Sequence, residues 1–437
     1  MSIQIRLFAE LEDEPVMPYS LMTMFNAFTW TFLAALLAAT ATRLWLSQRQ
    51  IRHVRAHRGA VPPTFADAIP LAAHQKAADY TVAKTKFGMV DHVVGAAILL
   101  VLTLGGLIQW LAEQWARALA PESIWHGAAV IASVLALQAA LSLPFALYRI
   151  FGIEERYGFN RMTLKLFVID VLKGLVVAVV LGVPLLVVVL WLMNAAGSLW
   201  WLYVWAVLVA YSLFMQLVVP MFIMPWFNKF SPLQDQTLVE RVERLLARCG
   251  FRSRGLYVMD GSKRSSHGNA FFAGVGASKR IVFFDTLIQR LDPPEVEAVL
   301  AHELGHYKLN HIKKTLAIHF GIMLVSLFVL GLLVSESWFY EGLGVSSMTL
   351  SIGLLLFMLV APVFSFFLHP LETLLSRKHE FEADAYATSH SRAGDLVHAL
   401  VKLYQDNAST LTPDPVHSAF YDSHPPAAVR IARLKTT

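Results

Sequence analysis

His302, Glu303 and His306 stand in one short run, His302-Glu-Leu-Gly-His306. Four residues apart on a helix, the two imidazoles leave one face about a turn from each other. Two neutral nitrogens then occupy adjacent corners of a tetrahedral site, as Zn²⁺ requires. Glu303 points aside from that pair, where it can take a proton from a water as general base. The chemistry this spacing offers is metal-assisted hydrolysis. Upstream, Asp292 suits a cap, Pro293 the first helical position and Glu295 a capping-box carboxylate, so the histidine helix should begin there.

Two histidines hold zinc poorly, and a catalytic site normally has three protein ligands plus water. A histidine six residues after His306 is missing, because Ile312 stands there; His311, one residue earlier, would point away along a continuing helix. A carboxylate from a second helix is the alternative. The run Ser376-Arg-Lys-His-Glu380-Phe-Glu382-Ala-Asp384-Ala385 offers one. Glu380 and Asp384 share a face at i, i+4, whereas Glu382 is turned roughly 200° from Glu380. Glu380 is the expected third ligand, and Asp384 an acceptor behind the ligands that orients a histidine or an arginine.

The elements that must bring these runs together are apolar. Hydrophobic residues make up 56% of the 437 and charged residues 15%, with a mean hydropathy of +0.53; soluble domains run at about 45–50% and 25%. The single cysteine, Cys249, excludes an internal disulfide and a cysteine-rich metal site, and reads as a packed thiol. The net charge of +5 needs no nucleic acid partner, since basic residues bordering membrane spans account for it.

Glu10, Glu12, Asp13 and Glu14 leave no basic leader of a cleavable signal peptide. Spans are expected at 24–46, 89–111, 125–147, 167–193, 200–222, 316–333 and 348–367. Basic residues follow the first span (Arg43, Arg49, Arg52, Arg55, Arg58, then Lys76, Lys84 and Lys86) and the third (Arg149, Arg156, Arg161, Lys165). By the positive-inside rule those loops are cytoplasmic and the N-terminus is outside or lumenal. Residues 227–314 have the mixed composition of a water-facing domain, with an amphipathic helix at 238–249 ended by Gly250. Strands are expected at 255–259 and 281–284, with 270–273 able to pair with the latter through a turn at 275–279.

The fold class is therefore mainly α: a polytopic membrane protein of about seven transmembrane helices, with a small α+β cytoplasmic zinc-protease domain built from two chain segments. The segments are 1–225 (spans one to five), 226–314 (carrying the histidine helix), 315–370 (spans six and seven) and 371–437. Two intervening spans return 371–437 to the side of 226–314, so both can complete one site.

His302-Glu-Leu-Gly-His306 followed by Glu380-Phe-Glu-Ala-Asp384 resembles the integral-membrane zinc metalloproteases that include the type I CaaX prenyl proteases. The likeness extends along most of the chain, through Phe151-Gly-Ile-Glu-Glu-Arg-Tyr-Gly-Phe-Asn-Arg-Met-Thr163, Arg264-Ser-Ser-His-Gly-Asn-Ala270, Lys279-Arg-Ile-Val-Phe-Phe-Asp-Thr286 and Ser423-His-Pro-Pro-Ala-Ala-Val-Arg430. The resemblance implies helices around a large interior chamber, with one Zn²⁺ per chain at its cytoplasmic end. It implies Asn269 on a strand edge that aligns the substrate backbone, His424 as donor to the oxyanion, and Arg430 paired with Asp384 or Glu380. On its residues alone Asn269 reads equally as a turn, and His424-Pro-Pro as a loop. The partners implied are a peptide or protein substrate, with or without a lipid, and the bilayer. A CaaX substrate rests on the resemblance. A quality-control endopeptidase, and a seven-span transporter or receptor with structural zinc using Asp170, Lys173 and His319, are the other readings.

Overall fold

The structure, a computed structural model, describes residues 26–251, 253, 255–273 and 280–436. Among them, seven helices are long and apolar enough to cross a membrane: Ala27–Ala56, Leu71–Leu102, Ile124–Glu154, Leu164–Ala195, Gly197–Phe227, His311–Leu333 and Leu350–His390. The first is capped by Asn26, whose Oδ1 accepts from the Thr29 amide at 3.0 Å while Thr29 Oγ1 accepts from the Asn26 amide at 3.2 Å. Residues 24 and 25 of the expected first span lie outside the described residues.

The second span differs from expectation. It ends at Leu102, nine residues short of 111, because the chain turns through Thr103–Gly106, with Gly106 at φ +75°, and restarts as a separate helix, Leu107–Ala116. Its start at Leu71 puts Lys76, Lys84 and Lys86 on the span helix itself, not in a loop. A 32-residue helix is longer than the roughly 30 Å hydrocarbon core requires, and long basic side chains tolerate that boundary.

Each span packs against the next, and the seventh closes back on the first. Yet only 0–22% of the apolar windows of the first six spans is buried. Most of these apolar side chains therefore face the lipid or the space between spans, and the seventh span also packs against the third and fourth. Wide π-helical turns at Tyr148–Glu154, Ala178–Gly182 and Val219–Ile223 occur near Pro144, Pro184 and Pro220, where the helical hydrogen-bond ladder is interrupted.

The water-facing part contains a four-stranded sheet in the order β1-β2-β4-β3. β2 (Leu256–Met259) runs parallel to β4 (Arg280–Phe284), while β1 (Phe230–Pro232) and β3 (Ala270–Ala273) are antiparallel edges. The expected β3–β4 pairing is present; its turn at 275–279 lies outside the described residues. β1 escapes sequence reading because it is three residues long and ends in proline. The amphipathic helix is Gln236–Arg248, capped by Asp235 and closed by Gly250 at φ +57°. Its Leu238, Val242 and Leu245 join Phe283, Val296, Leu300, Leu304, Leu396 and Leu400 in one core. Residues from both sides of the last two spans thus share a single hydrophobic interior.

Arg264 fastens this domain to the membrane helices. Its guanidinium donates twice to Asp170 of the fourth span (2.8 and 3.0 Å), and to Asn228 Oδ1 and the Phe227 carbonyl at the end of the fifth. Lys173 Nζ donates to the Trp226 carbonyl at 2.7 Å. Asp170 and Lys173 are thereby occupied as struts, which removes two of the residues a transport pathway would have used. Arg264→Ala would leave Asp170 charged without its cation. It should destabilise the protein by about 3–5 kcal/mol, with Asp170→Ala/Arg264→Ala less damaged than Arg264→Ala alone, as read by thermal unfolding in detergent.

Candidate metal centre

Helix Pro293–Lys308 starts where the sequence places it. Glu295 Oε2 accepts from the Asp292 amide at 2.8 Å, and Lys402 Nζ, from helix Ala393–Asp406, reaches Glu295 at 2.7 Å and Asp292 at 2.8 Å. One face of this helix lies against helix His369–His390, which buries Glu380, Ala383, Asp384 and Ala387 at i, i+3, i+4 and i+7. The crossing point is Gly305. A Cβ there would sit 3.0 Å from Ala383 Cα and 3.1 Å from Tyr386 Cβ. Glycine opposite alanine lets the backbones approach until the side chains one turn away converge.

His302, His306 and Glu380 each offer a ligand atom, and these atoms lie within 4.8 Å of one another. The two Nε2 atoms are 3.2 Å apart, with His306 Nε2 3.2 Å from Glu380 Oε1 and His302 Nε2 3.5 Å from Glu380 Oε2. Glu380 Oε2 is buried and accepts no hydrogen bond among the described residues. Two imidazole nitrogens and one carboxylate whose buried Oε2 accepts no hydrogen bond are a donor set that fits zinc with a position left open.

Behind this group, His302 Nδ1 faces Asp384 Oδ1 at 2.9 Å, which assigns the Nδ1 proton and leaves Nε2 with its lone pair toward the ligand group. Arg430 grips Asp384 with two bonds, from Nε at 2.9 Å and Nη2 at 2.6 Å, and places Nη1 3.3 Å from Glu380. It comes from helix Ala427–Leu434, where Ala427, Ile431 and Leu434 are buried beside it. Burial works against charge on His302, but the carboxylates of Asp384 and Glu380 outweigh it and carry the pKa up to about 9. Burial likewise opposes the Arg430 charge, and the same two carboxylates outweigh it.

His424, although 61% exposed, puts Nε2 3.3 Å from Glu380 Oε1, with Ser423 Oγ 3.0 Å from its Nδ1. Glu303 is half-buried beside the pair, and its carboxylate makes no hydrogen bond or ion pair among the described residues. Asn269 is exposed and precedes edge strand β3. Its Oδ1 accepts from the Ala270 amide at 2.8 Å and its carbonyl from the Phe284 amide at 2.9 Å. Among the described residues it makes no hydrogen bond to the ligand residues, which distinguishes it from His424 and Arg430, both within 3.3 Å of Glu380.

His311 corrects the sequence reading. It does not point away, because the helix stops. Asn310, at φ +58°, turns the chain after Leu309 and starts the sixth span with His311 folded back. Its Nδ1 lies 3.1 Å from His306 Nδ1 and its Nε2 2.9 Å from Glu382 Oε2. The available signal was Asn310 itself, a residue that tolerates left-handed backbone at a helix end.

Gly305→Ala should force the two helices apart. We expect a loss of about 1–3 kcal/mol in stability and a weakened metal affinity, seen by thermal unfolding and chelator competition.

Comparison with known proteins adds the following. A profile for the CAAX prenyl protease N-terminal region, five membrane helices, matches residues 50–229, and that of peptidase family M48 matches residues 232–437. The CAAX prenyl protease 1 homolog of Arabidopsis thaliana is 35% identical, covering 86% of this chain and 90% of its own length. CAAX prenyl protease 1 of Saccharomyces cerevisiae is 33% identical, over 86% and 88% respectively. The crystal structure of S. mikatae Ste24p superposes with a TM-score of 0.88 at 29% identity, over 94% of this chain and 99% of that one.

Proposed function

This chain belongs to peptidase family M48, with the N-terminal region of the CAAX prenyl proteases, and we propose that it hydrolyses CaaX-type prenylated peptides at the His302–His306–Glu380 centre. It is an integral, multi-pass membrane metallopeptidase. The observation that carries the site reading is the convergence of two imidazoles and one buried carboxylate beside a free glutamate.

His302, His306 and Glu380 would hold one zinc ion per chain, which would supply Lewis-acid polarisation of the scissile carbonyl and acidify a water. Glu303 is placed to take a proton from the attacking water and deliver it to the leaving amine, a transfer suited to a carboxylate with no competing partner. His424 donates to the oxygen that gains charge as the carbonyl is attacked. Asp384 holds His302 in the tautomer that ligates, and Arg430 neutralises Asp384 and Glu380 together. Edge strand β3 has one unpaired side, so an extended peptide can add to it, with Asn269 setting its register. Apolar surface between the spans would give the lipid of a prenylated peptide somewhere to lie without leaving an apolar environment. The basic residues at the ends of the first and third spans and at the starts of the second and fourth favour a cytoplasmic centre and C-terminus.

Glu303→Gln should retain zinc yet lose turnover by about 10²–10⁴-fold, while His302→Ala should lose both; metal analysis beside a peptide cleavage assay checks this. Products of a farnesylated and an unlipidated peptide, compared by mass spectrometry, test the substrate. Preference for the farnesylated peptide supports the proposal, and equal cleavage favours a quality-control endopeptidase. Zinc must also displace the His302 proton. Since that pKa is raised to about 9, apparent zinc affinity should rise by about tenfold per pH unit from 7 to 9 and level off above, as followed by chelator competition.

A further inference from the structure

The two histidines of the metal centre are supported differently. His302 has a carboxylate directly on its Nδ1, Asp384 at 2.9 Å. His306 has none: the atom facing its Nδ1 is another imidazole nitrogen, His311 Nδ1, at 3.1 Å. Two ring nitrogens at that distance form a hydrogen bond only if one of them carries a proton, and the surroundings decide which. His306 Nε2 is turned to Glu380 and His302, so its lone pair serves the metal and its proton sits on Nδ1. His311 Nδ1 is then the acceptor, which leaves its own proton on Nε2. That atom points at Glu382 Oε2, 2.9 Å away, a group that can only accept while ionised. Both ends of the chain require the same tautomers.

We infer that His311 is a positioning residue for the metal centre, relaying the Glu382 carboxylate to His306 as Asp384 acts directly on His302. This rests on the proposed zinc site. Metal-bound imidazoles regularly donate their second N–H to a carboxylate, which fixes the ring and raises its basicity. Here the carboxylate comes at one remove. Glu382 lies two residues beyond Glu380 on the same helix, so the relay ties the two ligand-bearing helices together behind the metal. The ring has no freedom to leave: the His311 side chain is 3% exposed and stacks on His379 at 4.0 Å and 9°. The Glu382 side chain, 37% exposed, sits at the edge of the cluster.

The test uses full-length protein in detergent, with zinc affinity measured by chelator competition and the visible bands of the cobalt-loaded form as second readout. His311→Phe keeps a ring against His379 and removes both nitrogens; its zinc dissociation constant should weaken by about 10–100-fold. His311→Asn restores an acceptor near His306 Nδ1 and should recover most of that loss, together with the cobalt bands. A purely structural role would lower the melting temperature of the zinc-free protein and leave zinc affinity alone. Glu382→Ala, on a partly exposed side chain, should weaken zinc in the same direction and serves if His311→Phe does not fold. Unchanged zinc affinity in His311→Phe or in Glu382→Ala overturns the inference, and so does a loss that His311→Asn fails to relieve. His302→Ala separates the two claims. If it loses zinc while His311→Phe does not, only the role of His311 falls; if it binds zinc like the unsubstituted protein, the metal site itself is wrong, and this inference with it.

Discussion

Two carboxylates, Glu380 and Asp384, are taken almost wholly out of water, each side chain only 4% exposed. An unpaired charge in that position costs several kcal/mol, so the rest of the site has to compensate. Arg430 answers both carboxylates, and His302 holds Asp384 through Nδ1. The consequence is a centre that cannot be assembled from one part of the chain. Its histidines precede the last two spans, its carboxylates lie on the continuation of the seventh beyond its apolar part, and its arginine is delivered by the final helix. The Gly305–Ala383 contact is what brings the first two of these within reach.

The membrane is part of the same construction. The sixth span begins at His311, five residues after His306, and the Glu380 helix continues from the seventh through a tight turn at Phe366–Leu368. Arg264 adds a second tie, joining the segment that leads to Asn269 and β3 to the fourth and fifth spans. Edge strand, candidate metal centre and membrane helices are therefore fixed to one frame.

Much of this is legible in the sequence because it depends on local periodicity. Spacing of four puts His302 beside His306 and Glu380 beside Asp384 on any helix. Long apolar runs mark the spans wherever they fall. What the sequence conceals depends on single backbone angles or on contacts between distant segments. Gly106 ends the second span early and Asn310 folds His311 back, each through one left-handed residue. The pairing of Arg430 with both Glu380 and Asp384 needs the last helix in place, so spacing alone left the choice open. Strand β1 offers only three residues and no alternation.

The most direct measurement of the central claim is a zinc anomalous-difference map from crystals of the metal-loaded protein. The account requires one peak, about 2.0–2.2 Å from His302 Nε2, His306 Nε2 and a Glu380 oxygen, with a remaining position open toward Glu303. A peak elsewhere in the molecule, or one at the two histidines with Glu380 turned away, would contradict it.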